Sequence, residues 1–195
     1  MLLVIDVILG PSLTLLVNKP GKKTLVFDLA VIACLQLAAL SYGLYTVAEG
    51  RPAWLVFSVD RFELVRVNDI DDRKLDEAPA DYRQPSWLGP QWVAASNPVD
   101  SEARNELMFE ALFGGTDIAQ RPNLYQPLAQ QSDLMRQRAQ PLSALHRFNA
   151  PEQVQRIAQA HPQANGWLPL RANAQDMSVL IHTETATVIA IVDFL

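Results

Sequence analysis

Two apolar stretches open the chain, residues 1–17 and 24–47, separated by a short basic turn, Asn18-Lys19-Pro20-Gly21-Lys22-Lys23. No other feature restricts the fold as strongly. A bilayer-spanning helix needs about 20 mainly apolar residues, within a range of about 17–25. Residues 24–47 meet this with a single charge, Asp28. Residues 1–17 are at the short limit, carry Asp6, and hold a Gly10-Pro11 pair of a kind that neighbouring helices accommodate in a membrane. The pattern predicts a transmembrane helical hairpin over residues 1–47. A buried soluble hairpin would show a polar face, and residues 25–47 show none. A cleaved signal peptide would begin with a basic region and end in small residues, which this apolar run does not.

The three lysines between positions 19 and 23 put the turn, residues 18–23, on the cytoplasmic side by the positive-inside tendency. Tyr42, Tyr45 and then Trp54 give the far end of the second stretch an interfacial aromatic pattern. Residues 48–195 are then expected outside the cytoplasm, which in a bacterium is the periplasm. The expected protein is a multi-pass inner-membrane protein with its C-terminal domain in the periplasm.

A carboxylate inside a membrane helix costs about 2.5–3.5 kcal/mol and usually faces protein. Folding the hairpin about Pro20-Gly21 sets Asp28 near Ser12 and Thr14, and Asp6 near Cys34, Leu35 and Gln36. Asp6, Asp28 and Gln36 are therefore the expected intramembrane polar contacts, Asp28 with a hydroxyl and Asp6 with the Gln36 amide. Such bonds contribute about 1 kcal/mol each. The alternative is that one acid meets a partner's transmembrane helix.

Residues 48–195 carry 19 Asp and Glu against 13 Lys and Arg. That acidic balance argues against nucleic acid, whose phosphates select a basic face. The one cysteine, Cys34, lies in the second apolar stretch, so neither an intramolecular disulfide nor a cysteine metal site can form.

Residues 54–59 read as a buried strand, rich in β-branched and aromatic side chains, and residues 62–67 as a second strand or its continuation. Residues 68–82 are a short helix or a loop. Residues 85–98 read as a proline- and tryptophan-bearing connection with Leu88-Gly89-Pro90 at its centre. Asp100-Ser101 opens a helix that Gly114-Gly115 ends; further helices are expected over 130–140, from Pro141, and over 152–160. Residues 167–170 are extended, and 177–183 with 187–195 alternate as a hairpin around Glu184-Thr185-Ala186. Strands, then helices, then strands predict an α+β domain with a small antiparallel sheet and helices on one face. The first strands are expected to pair with the C-terminal hairpin.

The residues show little catalytic pattern. His146, His161 and His182 lack the spacing of a helical metal pair. No nucleophile elbow or Walker loop occurs. Asp69, Asp71 and Asp72 resemble the start of a calcium loop but lack its glycine and bidentate acid. Catalytic, metal and cofactor residues are expected to be none. Trp87 and Trp92, flanking Leu88, Gly89 and Pro90, mark a candidate partner-binding rim.

Several segments together resemble the type IV pilin accessory proteins, also called fimbrial assembly accessory proteins. They are Val4-Ile5-Asp6-Val7-Ile8-Leu9-Gly10-Pro11, Lys19-Pro20-Gly21-Lys22-Lys23, Phe27-Asp28-Leu29-Ala30-Val31-Ile32, Tyr42-Gly43-Leu44-Tyr45-Thr46-Val47 with Arg51-Pro52, and Phe57-Ser58-Val59-Asp60-Arg61-Phe62. Leu88-Gly89-Pro90 and the region of Asp117, Pro122 and Tyr125 are similar more weakly. The resemblance implies a non-enzymatic inner-membrane factor that stabilises its cognate type IV major pilin and promotes its assembly into pili. Its implied partners are the major pilin, the lipid bilayer and other pilus-assembly proteins. The family is expected to carry a further membrane helix ahead of the position of Val4 and to run slightly beyond the final strand; a late start would account for the first difference. The alternative reading is a membrane-anchored extracytoplasmic ligand-sensing domain. A membrane-tethered hydrolase is a third, and the sequence offers it no nucleophile or metal constellation.

Overall fold

The computed structural model describes residues 12, 25–98, 100–113 and 115–193. Asp6, the basic turn at 18–23, and Gly114 lie outside the described residues. The chain divides into two compact units, Met1–Arg51 and Pro52–Leu195.

The first unit is described chiefly by helix α1, Leu25–Glu49. Its segment Val26–Glu49 is long and apolar enough to cross a membrane, and its most apolar stretch is not buried. Val26, Phe27, Leu35, Leu37, Tyr42, Leu44, Tyr45 and Val47 are all exposed, which suits a helix whose solvent is lipid rather than water. At its C-terminal end, Gly50 N donates to Thr46 O (3.0 Å) and Arg51 Nη1 donates to Ala48 O (2.8 Å). Both satisfy carbonyls that the last turn leaves open, and the arginine complements the negative end of the helix. One helix of the expected hairpin is thus seen; the other falls on residues outside the description.

The second unit is built on an eight-stranded mixed sheet, β1 (Pro52–Ser58), β2 (Arg61–Arg66), β3 (Gln91–Ala95), β4 (Tyr125–Pro127), β5 (Gln140–Pro141), β6 (Gly166–Arg171), β7 (Met177–His182) and β8 (Thr187–Val192). The order is β4-β3-β1-β2-β6-β7-β8, with β5 paired to β6. Among the described residues three α-helices accompany it: α2 (Ser101–Leu112), α3 (Ser132–Arg138) and α4 (Pro151–Ala160).

Three expectations about the strands are corrected. The sheet is neither small nor purely antiparallel, because β1–β3 and β2–β6 are parallel pairs. Parallel neighbours need a long crossover, which residues 67–90 and the segment after β4 supply. The connection over 85–98 contains a strand: Gln91-Trp92-Val93-Ala94-Ala95, short but flanked by Pro90, pairs with β1 through Trp54↔Gln91 to Phe57↔Ala94. And β2 pairs with β6, through Phe62↔Leu170 and Glu63↔Arg171, rather than with the terminal hairpin β7–β8.

Alternation along the strands divides the core. On one face Leu55, Phe57, Phe62, Ala94, Leu168, Leu170, Val179 and Ile181 pack with Met135 of α3. This cluster reaches from β3 to β7 because the sheet curls around it. Phe62 lies 5.3 Å from the Phe57 ring and 5.1 Å, edge to face, from Trp92. The opposite face is covered twice. Trp54, Val56, Val65, Val93 and Tyr125 pack under a 3-10 turn with Ile118 and Ala119, and Leu145, Val154, Trp167, Leu180 and Val192 pack under α4. Helical cover therefore lies on both faces, not on one. A single face would leave the outward residues of β1, β6 and β7, which are as apolar as the inward ones, in water.

The β1–β2 connection is tight. Asp60 N donates to Ser58 O (2.6 Å) across Val59, which is held at φ 58°. A β-branched residue in the left-handed region is strained.

Candidate functional site

Four surfaces carry chemistry that packing alone does not explain. The first is α1. Asp28, Leu29, Ile32 and Gln36 are half-buried whereas most of the helix surface is exposed. Their spacing puts them on one stripe of the helix. Asp28 and Gln36, chosen from sequence as intramembrane polar contacts, therefore share that stripe; Asp6 lies outside the described residues. Asp28 and Ser12 are each engaged in interactions.

The second is the 86–90 loop. Leu88 N donates to Ser86 Oγ (3.0 Å), and Gly89 at φ 135° makes a turn closed to other residues. These hold Trp87 (76 % exposed) and Leu88 (fully exposed) outward, with Pro90 exposed and Gly89 half-buried. Trp92 behaves differently. It is half-buried in β3 against Phe62, so the sequence-proposed rim divides into an apolar tip, Trp87–Leu88, and a sheet residue.

The third surface is α2. Met108, Phe109, Leu112 and Phe113 recur at spacings of three and four and are all exposed, so the helix presents an apolar side to its surroundings. A polar clamp fixes its C-terminal half. Glu110 accepts from Arg121 Nη2 and from Arg73 Nη1 and Nη2 (both 3.2 Å). Arg73 in turn donates from Nη2 (2.6 Å) and Nε (2.8 Å) to Asp71, and Thr116 Oγ1 donates to Asp71 (2.6 Å). Asp71 and Arg121 have side chains only 7 % and 9 % exposed and stand 3.6 Å apart. The Arg73 guanidinium, with Thr116 behind it, holds the Asp71 carboxyl well below the usual carboxylate range. Asp69 is bound by Arg66 Nε (2.9 Å) and Nη2 (3.0 Å), which lowers it too. Asp69 and Asp71, two of the three aspartates that resembled a calcium loop, are thus arginine partners. Among the described residues no group of three His, Cys, Asp or Glu is placed to hold a metal.

The fourth is a polar cleft of about 380 Å³ lined by Glu63, Asp69, Asp117, Gln120, Arg171 and Asn173. Asp117 caps the 3-10 turn Ile118–Gln120: its Oδ1 accepts from Ile118 N (2.7 Å), and its N donates to Gln120 Oε1 (2.9 Å). Glu63 sits in an interior strand with Arg171 opposite it. Burial and the Asp117 charge push its carboxyl up, against the pull of Arg171 and Arg61. Sequence reading missed this cleft, because residues 63, 117 and 171 meet only when β2 and β6 pair. It missed β3 as well, although a short apolar run after Leu88-Gly89-Pro90 was the signal for it.

The chain is 34 % identical over 152 residues to the fimbrial assembly protein of serogroup I of Dichelobacter nodosus, and equally to that of serogroup E1. Each match covers 76 % of this chain and 59 % of the relative. The fimbrial assembly protein of serogroups C1 and C2 from the same organism is 38 % identical over 77 residues, covering 38 % of this chain and 56 % of the relative. The chain thus spans about three fifths of the length of these relatives. No family model and no solved structure matches it. Over three quarters of its length, the chain is a homologue of the Dichelobacter nodosus fimbrial assembly proteins.

Proposed function

We propose that this chain is a membrane-anchored, non-catalytic accessory factor that stabilises a cognate type IV major pilin and promotes its assembly into pili. The observation that carries the reading is the 34 % identity to fimbrial assembly proteins over 76 % of the chain. The apolar helix Val26–Glu49 supports it. A pilin subunit waits in a bilayer with an apolar helix inserted and a globular head outside it, and a partner of the same layout meets both parts. In this reading the protein is a multi-pass inner-membrane protein with residues 48–195 in the periplasm. The stripe of Asp28 and Gln36, with Asp6, faces membrane helices. The tip at Trp87 and Leu88 and the exposed side of α2 face the pilin head or other pilus-assembly proteins.

Detergent co-purification of the full chain with pilin tests this, alongside deletion of the gene and complementation with Trp87→Ala and Asp28→Asn. The expected result is pilin in the eluate, less pilin in the deletion strain, and fewer surface pili. Normal pilin level and piliation after deletion would end the reading.

The polar cleft at Glu63, Asp117 and Arg171 favours a second reading, an extracytoplasmic ligand-sensing domain on a membrane anchor. It requires a small polar ligand whose binding raises the melting temperature of the wild type and not of Arg171→Ala. Loss of pili in a Trp87→Ala strain with an unaltered cleft would favour the first reading over the second.

A further inference from the structure

Strand β6 parts from β2 in the middle of the sheet. Their parallel pairing lasts two positions, Phe62↔Leu170 and Glu63↔Arg171. Strand β6 stops at Arg171, whereas β2 runs on to Arg66. The notch so opened is the polar cleft of about 380 Å³. It adjoins a second hollow of about 250 Å³ beside Ser58–Arg61. Glu63, Asp117 and Arg171 line both and stand at the waist between them. Small-molecule sites occupy about 300–1,000 Å³, so a cleft of this size suits a metabolite rather than a folded partner.

Most charges around the waist have partners of their own. Asp69 is held by Arg66 and Arg61 by Asp60. Asp117 caps the 3-10 turn, which is pinned over β2 because Ile118 and Ala119 enter the core with Val56 and Val65. Glu63 and Arg171 differ. As register partners they project from the same face of the sheet. Among the described residues, neither makes a hydrogen bond or an ion pair, with the other or with any third group. The charges of Asp117 and Arg171 both act on Glu63 through space, in opposite directions. The cleft therefore offers two carboxylates and one guanidinium that is not committed to them.

That set selects its ligand. An anion such as phosphate would gain Arg171 but meet Glu63 and Asp117. A divalent cation would gain the carboxylates but meet Arg171, and among the described residues no group of three His, Cys, Asp or Glu is placed to hold a metal. A molecule with both charges a few bonds apart satisfies both sides, and a carboxylate matches the guanidinium fork. We propose that the cleft binds a free α-amino acid, its ammonium group on Glu63 and Asp117 and its carboxylate on Arg171. Its side chain is polar and uncharged and meets the amides of Gln120 and Asn173, which line the larger hollow. The inference rests on the ligand-binding reading of the cleft, the second of the two above, and not on the pilus reading.

The test is calorimetric titration of the full chain in detergent with L-glutamine. Two analogues each lack one charge: N-acetyl-L-glutamine the ammonium, and L-glutamine α-amide the carboxylate. L-glutamine is expected to bind saturably, and each analogue at least about tenfold more weakly, the factor for one lost charge-assisted contact. Arg171→Ala, at an exposed position, and the isosteric Glu63→Gln should each weaken L-glutamine at least about tenfold. The losses should also pair. Arg171→Ala does not weaken the α-amide further, and Glu63→Gln does not weaken the N-acetyl compound further, because each pair deletes the same contact. A side chain that only shapes the cleft would weaken all three ligands alike, and that pattern overturns the proposal. So does absence of saturable L-glutamine binding, equal affinity for either analogue, or wild-type affinity in either folded variant. The analogues act on the wild-type protein, so they decide the matter even where a variant fails to fold. D-glucose and inorganic phosphate separate this proposal from the reading beneath it. Saturable binding of either one, lost in Arg171→Ala, would overturn the amino acid and keep a ligand-binding cleft; no binding of any of the five compounds counts against both.

Discussion

Replacing Asp71 by asparagine isolates the clamp that holds α2. The Asp71 side chain is 7 % exposed and receives Arg73 Nη2 at 2.6 Å, Thr116 Oγ1 at 2.6 Å and the charge of Arg121 Nε at 3.6 Å. Arg73 is more than half exposed, so its pairing counts as a surface ion pair of less than about 1 kcal/mol. A buried hydrogen bond to a charged acceptor contributes about 1.5–3 kcal/mol. Loss of the charge beside the nearly buried Arg121 adds to this, softened because Glu110 remains its partner. The expected cost at neutral pH is about 3 kcal/mol. For a domain of this size, at about 2–4 °C per kcal/mol, melting falls by roughly 6–12 °C, read from the fluorescence of the core tryptophans in the full-length protein. The pH dependence has a definite sign. The folded carboxyl titrates below its ordinary value, so the unfolded chain takes up the proton first. The wild-type advantage is complete above an unfolded pKa of about 3.9 and disappears as pH falls through the folded value. The gap between wild type and variant should therefore be flat from pH 7 to about pH 5 and close below about pH 4. A gap under 1 kcal/mol at pH 7, or one that persists undiminished to about pH 2, would refute the reasoning.

Three further outcomes are expected. Phe62→Ala removes a fully buried ring from between Phe57 and Trp92 and should cost about 3–5 kcal/mol in a denaturant melt; a loss below about 1 kcal/mol would mean that the curled core is not packed as described. Val59→Gly relieves the left-handed backbone at the β1–β2 turn, where the side chain is half exposed, and should raise stability by about 1 kcal/mol; a drop in melting temperature would contradict the strain. Glu63→Gln removes a carboxylate whose pKa is raised by burial and by Asp117, so its charge opposes folding above that pKa and is relieved as pH falls. The variant should be more stable than wild type at pH 7 and equal to it under acid conditions; equal melting temperatures at pH 7 count against the assignment.

Legibility from sequence followed the range of the interactions. Helix α1 was readable because twenty-odd apolar residues in a row allow few structures in water, and β7–β8 because alternation is a local signal. The extent of α4 was readable too, since the helix expected over 152–160 is found at Pro151–Ala160. What was not readable was pairing. Gln91–Ala95 is short, and its apolar face meets β1 only after a crossover of about thirty residues. The parallel pair β2–β6 has no local trace at all. The exposure of Phe109, Leu112 and Phe113 on α2, with Glu110 paired to Arg121 and Arg73, has no local signal, because both arginines come from other segments of the chain. Trp87 and Trp92, five positions apart, separate because one lies in the 86–90 loop and the other in strand β3.

The parallel β2–β6 pair has a consequence for the order of events in making the protein. Strands β1 to β4 are complete once residue 127 has been synthesised, but the partner of Phe62 is Leu170, more than a hundred residues later. Until then the backbone of β2 is bare along one side, and the half-built core of Leu55, Phe57 and Phe62 lacks Leu168, Leu170, Val179 and Ile181. Closing so long a loop is slow, since its entropy must be spent before the contact forms. A nascent chain paused before β6 would therefore present an adhesive strand to its neighbours. Pulse-labelled intermediates arrested ahead of Gly166 should be more protease-sensitive and more prone to aggregate than chains released after Val192.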